Sequence, residues 1–84
     1  MIKADLPAIT GDIAQRLAAA QNGLRLKVVS DKTFASDATV WVYVDIVDGG
    51  GKEALDIIRL FESVEQQTSK RFNVDVMILS ESPE

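Results

Sequence analysis

Two aspartates sit inside the most apolar stretches of this 84-residue chain: Asp45 in residues 39–47 (T-V-W-V-Y-V-D-I-V) and Asp75 in residues 74–79 (V-D-V-M-I-L). Carboxylates on neighbouring strands are hard oxygen ligands of the kind that hold Mg²⁺. If both stretches are strands, Asp45 and Asp75 share one face, because side chains alternate sides at period two. The competing reading is that both are exposed acids keeping an open face wetted. Spacing supplies no third carboxylate to complete a cation site.

A second place for chemistry is Gly49-Gly50-Gly51-Lys52, between an apolar strand pattern and a helical one. Phosphate-binding loops occupy that junction, where helix N-terminal N–H groups meet anions. The P-loop pattern requires G-x-x-x-x-G-K-[ST]; here Lys52 precedes Glu53, and no glycine stands at the upstream offset. Asp48 adds a negative charge at the mouth. Gly50, Gly51 and Lys52 are therefore candidates for an anion site or for a plain strand-to-helix turn.

The chain has no histidine and no cysteine. Histidine is the commonest general base and metal ligand, and cysteine the readiest nucleophile. Nucleophilic catalysis would fall to Ser, Thr or Lys with an unusual activator, and no such constellation is visible. The expectation is a protein that is not an enzyme and that needs no cofactor.

The sharper signal is apolar. Val40, Val42, Val44 and Ile46 form one face of residues 39–47, while Trp41, Tyr43, Asp45 and Val47 form the other. A strand covered on one side alone should alternate apolar with polar. Met77 and Leu79 repeat this two-faced pattern against Val76 and Ile78. Trp41, Tyr43, Val47, Met77 and Leu79 are thus the candidate interaction surface. Its alternatives are a small-molecule pocket, or coverage by a terminal segment or by a loop over residues 30–38 with Phe34 at its centre.

These residues need elements to position them. Asp5-Leu6-Pro7 suits a helix start, because Asp caps and Pro tolerates the first turn. Ile9, Ile13 and Leu17 follow at helical spacing, and Gly11 leaves Thr10 or Asp12 as alternative starts. Asn22-Gly23 is a stop. Residues 24–29 alternate like a strand, and a polar loop over 30–38 joins them to 39–47 as an antiparallel hairpin with a long turn. From about 52 to 71 or 72, Ala54, Ile57, Ile58, Phe61, Val64 and Thr68 fall on one helical side, with Phe61 more buried than Leu60. Asn73 ends that helix before the last strand, and residues 80–84 form a polar tail.

The order α-β-β-α-β predicts one domain over residues 1–84. It is a two-layer α+β sandwich with two helices on one face of a mainly antiparallel sheet. A short edge strand at residues 1–4 would make it ferredoxin-like. Nine basic and thirteen acidic residues give net −4, with the bases scattered, which argues against nucleic acid. No apolar run approaches the ~18 residues of a membrane span, and the N-terminus lacks a signal-peptide core. The cytoplasm is the default location.

From Val40 onward the chain resembles the C-terminal cytoplasmic domain of cation diffusion facilitator transporters. The likeness is carried by V-W-V-Y-V-D-I-V-D-G-G, the helix E-A-L-D-I-I-R-L-F-E, and R-F-N-V-D-V-M-I-L-S-E-S-P-E, about half the chain, with Leu24-Arg25-Leu26-Lys27 suiting the family's first strand. It implies a dimer of this fold that senses or docks. Tyr43 and Leu79 stand near where that family places metal-binding histidines, which puts the family's metal function in doubt for this chain. Ser36-Asp37-Ala38-Thr39 and Val74-Asp75-Val76 also resemble parts of a minimal nucleotidyltransferase. Val29 replaces its glycine and Thr39 one of its acids, so that resemblance implies a degenerate nucleotide- or metal-binding domain using Asp37, Asp45 and Asp75.

The functional expectation is a small soluble interaction or regulatory module. It would act through its open sheet face or by self-association as a homodimer, with a protein partner and no membrane. A small acidic protein of phage or mobile-element origin that inhibits a host protein by binding it is the remaining alternative.

Overall fold

A computed structural model describes residues 5–20 and 23–81. The segment 1–4, the expected edge strand, lies outside the described residues, as do Asn22 and residues 82–84. The elements run α1 (Leu6–Ala19), β1 (Arg25–Ser36), β2 (Thr39–Asp48), α2 (Ala54–Phe72) and β3 (Asp75–Glu81).

Helix α1 starts at Leu6, before Thr10 and Asp12, because Asp5 caps it: its Oδ1 accepts from Ala8 N–H at 3.2 Å. Helix α2 ends where Asn73 takes a left-handed conformation (φ 51°). Both helices pack on one side of a three-stranded sheet ordered β1-β2-β3. The core is Ile9, Ile13 and Leu17 from α1, Ile57, Phe61 and Val64 from α2, Val40, Val42, Val44, Val76 and Ile78 from the sheet, and Leu24 just before β1. Phe61 is buried and Leu60 only half-buried, as the helical pattern requires. Ala54 and Ile58, expected on the packed stripe, are exposed; at about 100° per residue they flank the buried line of Ile57, Phe61, Val64 and Thr68.

Three expectations are corrected. The sheet is mixed, not mainly antiparallel: β1 and β2 are antiparallel, but β2 and β3 are parallel neighbours. A 19-residue helix is ~28 Å long, close to the length of β2, so α2 returns the chain to the start of β2 and β3 runs alongside it. No strand separates β2 from β3, the place where a split βαβ would carry one. Residues 30–38 are not a loop. β1 continues to Ser36, and a two-residue turn, Asp37-Ala38, joins it to Thr39 with Asp37 at φ 56°. Strand character survives there because a wide bulge absorbs the polar residues between Val29 and Phe34, which oppose only Val42.

Candidate functional site

Register defines the sheet face turned away from the helices. Phe34, Trp41 and Met77 form one cross-strand row, and Val29, Tyr43 and Leu79 form the next. Ser36, Thr39 and Asp75 flank them at one end; Lys27, Asp45 and the Glu81 position flank them at the other. Among the described residues no helix or loop lies on this face. Trp41, Tyr43, Val29 and Leu79 are half-buried by their neighbours in the sheet, whereas Phe34 (45%) and Met77 (37%) are exposed. Val47, at 55% exposure, lies farther along β2, where a register shift opposite Arg25 and Leu26 interrupts the alternation.

Phe34 does not cover the patch, as a loop centred on it would have done. It sits within β1 and stacks on Trp41, with ring centroids 6.4 Å apart and planes 18° from parallel. Such an offset pair is worth ~0.5–1.5 kcal/mol beyond its buried area. Four of the five nominated surface residues, Trp41, Tyr43, Met77 and Leu79, thus lie in these two rows. Val29 and Phe34 join them; Val29 ends the expected strand over residues 24–29, and the expectation of a loop over 30–38 concealed only Phe34. Tyr43 and Leu79 are register partners.

Asp45 and Asp75 share this face but do not meet. Asp75 pairs with Thr39, six residues before Asp45 on the same strand, a separation of ~20 Å at strand rise. One cation cannot bridge them. Asp75 instead accepts a hydrogen bond from Thr39 Oγ1 at 2.9 Å. Asp37 lies in the hairpin turn, so Ser36-Asp37-Ala38-Thr39 is a turn and not the metal-bearing strand its motif would need. Among the described residues no group of three or more acids gathers as a metal cluster would.

The glycine run closes on itself. Gly50 N–H donates to Asp48 Oδ1 at 2.9 Å and Lys52 N–H to the Gly49 carbonyl at 3.0 Å, so two donors an anion would use are engaged. Gly50 is demanded by packing as well as by φ 60°: a Cβ there would lie 2.6 Å from the Gly23 carbonyl carbon. The run joins two backbone connections closely, and helix α2 begins beyond it at Ala54.

Two polar arrangements escaped the sequence reading. Asp12, on α1, is buried, yet three groups satisfy it. Arg16 Nε donates at 2.8 Å, Thr68 Oγ1 at 2.9 Å and Arg71 Nη1 at 2.8 Å. Arg16 also donates to Gln67 Oε1 at 2.6 Å, so the network ties α1 to α2. Burial alone would raise the Asp12 pKa. Hydrogen bonds from Arg16 and Thr68 and the charges of Arg16 and Arg71 outweigh burial and hold it below the ordinary carboxylate value. The signal available in the sequence was Asp12-x-x-x-Arg16, an i,i+4 pair that resembles any surface pair.

The other arrangement seals the β3 edge of the sheet. Val76 N–H donates to Ser69 Oγ at 3.1 Å and Ile78 N–H to Glu65 Oε2 at 2.6 Å. Glu65 and Ser69 are one helical turn apart on α2, and they occupy alternate N–H groups along β3. An incoming strand would need those donors. Burial raises the Glu65 pKa; the Ile78 N–H opposes this, and the charges of Glu62 and Asp75 add to it. No helix among the described residues is long and apolar enough to cross a membrane. No family model, curated protein or solved structure matches the chain.

Proposed function

We propose that this protein is an interaction module whose binding surface is the open sheet face centred on Trp41 and Tyr43. The supporting observation is the pair of apolar rows, Phe34–Trp41–Met77 and Val29–Tyr43–Leu79, that no helix or loop among the described residues covers and that polar rows bound at both ends. An apolar centre with a polar rim is the anatomy of a recognition patch. The face is favoured over the β3 edge because Glu65 and Ser69 already occupy that edge. The work of the module is to hold another protein, and its other residues keep the sheet in shape.

Trp41 is the only tryptophan, so its fluorescence reports on this face alone. Acrylamide should quench it efficiently in the free, folded chain. A monomeric, folded chain in which Trp41 is shielded from acrylamide would overturn the reading.

A further inference from the structure

Resting on that reading, we propose that the occupant of the open face is a single basic amphipathic helix of a partner protein, lying along β2. Size comes first. The outer strands of a three-stranded sheet are ~10 Å apart, the width of one helix with its side chains. The four cross-strand rows, from Asp75 to Lys27, span ~20 Å along the strands, the length of ~13 helical residues. A helix of three to four turns therefore covers both apolar rows and reaches both polar ends. Its apolar stripe would run between Phe34 and Met77, over Trp41 and Tyr43.

Charge then selects the helix. Asp75 marks one end of the apolar rows and Asp45 the other, with Lys27 beside Asp45. The chain as a whole carries net −4. Lysine or arginine flanking the stripe at each end of the helix would meet these acids. A second copy of this chain would bring the same acids and the same net charge to the interface, and like charges across an interface count against it. An interface of this extent falls at the small end of the range, where transient encounters sit.

The test uses the full chain and a tryptophan-free peptide of about 14 residues, with leucines at i, i+3, i+4 and i+7 spacing and lysines elsewhere. A matched peptide carries glutamates in place of the lysines. Titration of the lysine peptide should shift Trp41 emission to the blue and saturate in the micromolar range, with the glutamate peptide at least tenfold weaker. Phe34→Ser with Met77→Ser should weaken the lysine peptide at least tenfold while circular dichroism stays unchanged. Should that pair fail to fold, Asp45→Asn with Asp75→Asn should narrow the preference for lysine over glutamate several-fold.

A lysine peptide that does not bind, or that binds the face variants as tightly as the wild type, overturns the proposal. If sedimentation then shows twice the chain mass, with Trp41 moving to the red on dilution, the occupant is a second copy and the open-face reading stands. If the chain is monomeric and Trp41 is shielded from acrylamide, both readings fall.

Discussion

The two faces of the sheet are built from the same strands and almost the same kinds of residue, yet they end in opposite surroundings. On the helix side Val40, Val42 and Val44 are fully buried, and twelve buried apolar side chains make one continuous core. On the other side Trp41 and Tyr43, their immediate neighbours in sequence, are only half-buried and Met77 is exposed. The difference does not lie in hydrophobicity, since β2 is apolar on both sides. It lies in what the chain has available to cover each side. Two amphipathic helices have one apolar stripe each, and both stripes are spent on the valine face. An apolar residue is therefore committed to stability only where another element of the chain answers it.

The strongest way to break this contrast is to put a charge into each face. Val42→Asp buries an unpaired carboxylate under both helices, and the variant should be unfolded at 25 °C by circular dichroism. Tyr43→Asp, one position along, should leave a folded chain. Equal loss in both would mean that the outer face is structural too.

The next largest effect concerns the network that clamps α1 to α2 over the covered face. Asp12→Ala leaves the Thr68 hydroxyl without its acceptor and two arginines without their buried partner. It should cost ~2–4 kcal/mol in urea unfolding at pH 7. The wild-type contribution has a defined pH sense. The folded pKa lies below the ordinary value of 3.8, so the stabilisation is present above 3.8 and is lost as pH falls through the depressed folded value. The gap between wild type and Asp12→Asn should accordingly shrink in acid. A gap that is constant between pH 7 and pH 2 would remove the charge from the account.

Glu65 has the opposite sign. Its folded pKa is raised above 4.5, so its contribution is present below 4.5 and is lost as pH rises through the raised value. Glu65→Gln keeps an acceptor for Ile78 N–H and drops the charge, and should gain on the wild type between pH 4 and pH 7. Glu65→Ala with Ser69→Ala should instead uncover the β3 edge, cost ~1–2 kcal/mol, and make the chain aggregate faster in light scattering. Unchanged aggregation would mean that the edge needs no seal.

The smallest stability effect should come from the open face itself. Met77→Ser removes a side chain already 37% exposed and should change stability by less than ~1 kcal/mol in urea unfolding. A loss comparable to that of a buried valine would show that this face is covered.

Much of this was legible along the chain because it depends on near neighbours. The period-two run at 39–47 predicted which valines would be buried, and the change to helical spacing after Gly51 placed α2 within about two residues of its observed start at Ala54. Five of the seven residues in or beside the outer apolar rows were legible from alternation alone. Val29 stood in an expected strand but was not joined to the patch, and Phe34 was hidden because the polar residues before it read as a loop; only pairing with β2 and a bulge make that stretch a strand. Asp45 and Asp75 were rightly placed on one face but not six residues apart, because alternation fixes a side and register fixes a distance.

By itself, then, the sequence determined the identity and order of the elements, the inward faces of β2 and α2, and the absence of histidine and cysteine chemistry. Each follows from local periodicity or composition. Only the tertiary structure decided that β3 pairs in parallel beside β2, that Asp12 meets Thr68 and Arg71 across 56 and 59 residues, and that Glu65 and Ser69 seal an edge. Those contacts join segments that no local pattern relates. Which of many chemically acceptable partners a polar side chain finds is settled when the chain closes and burial leaves each donor and acceptor only the groups within reach.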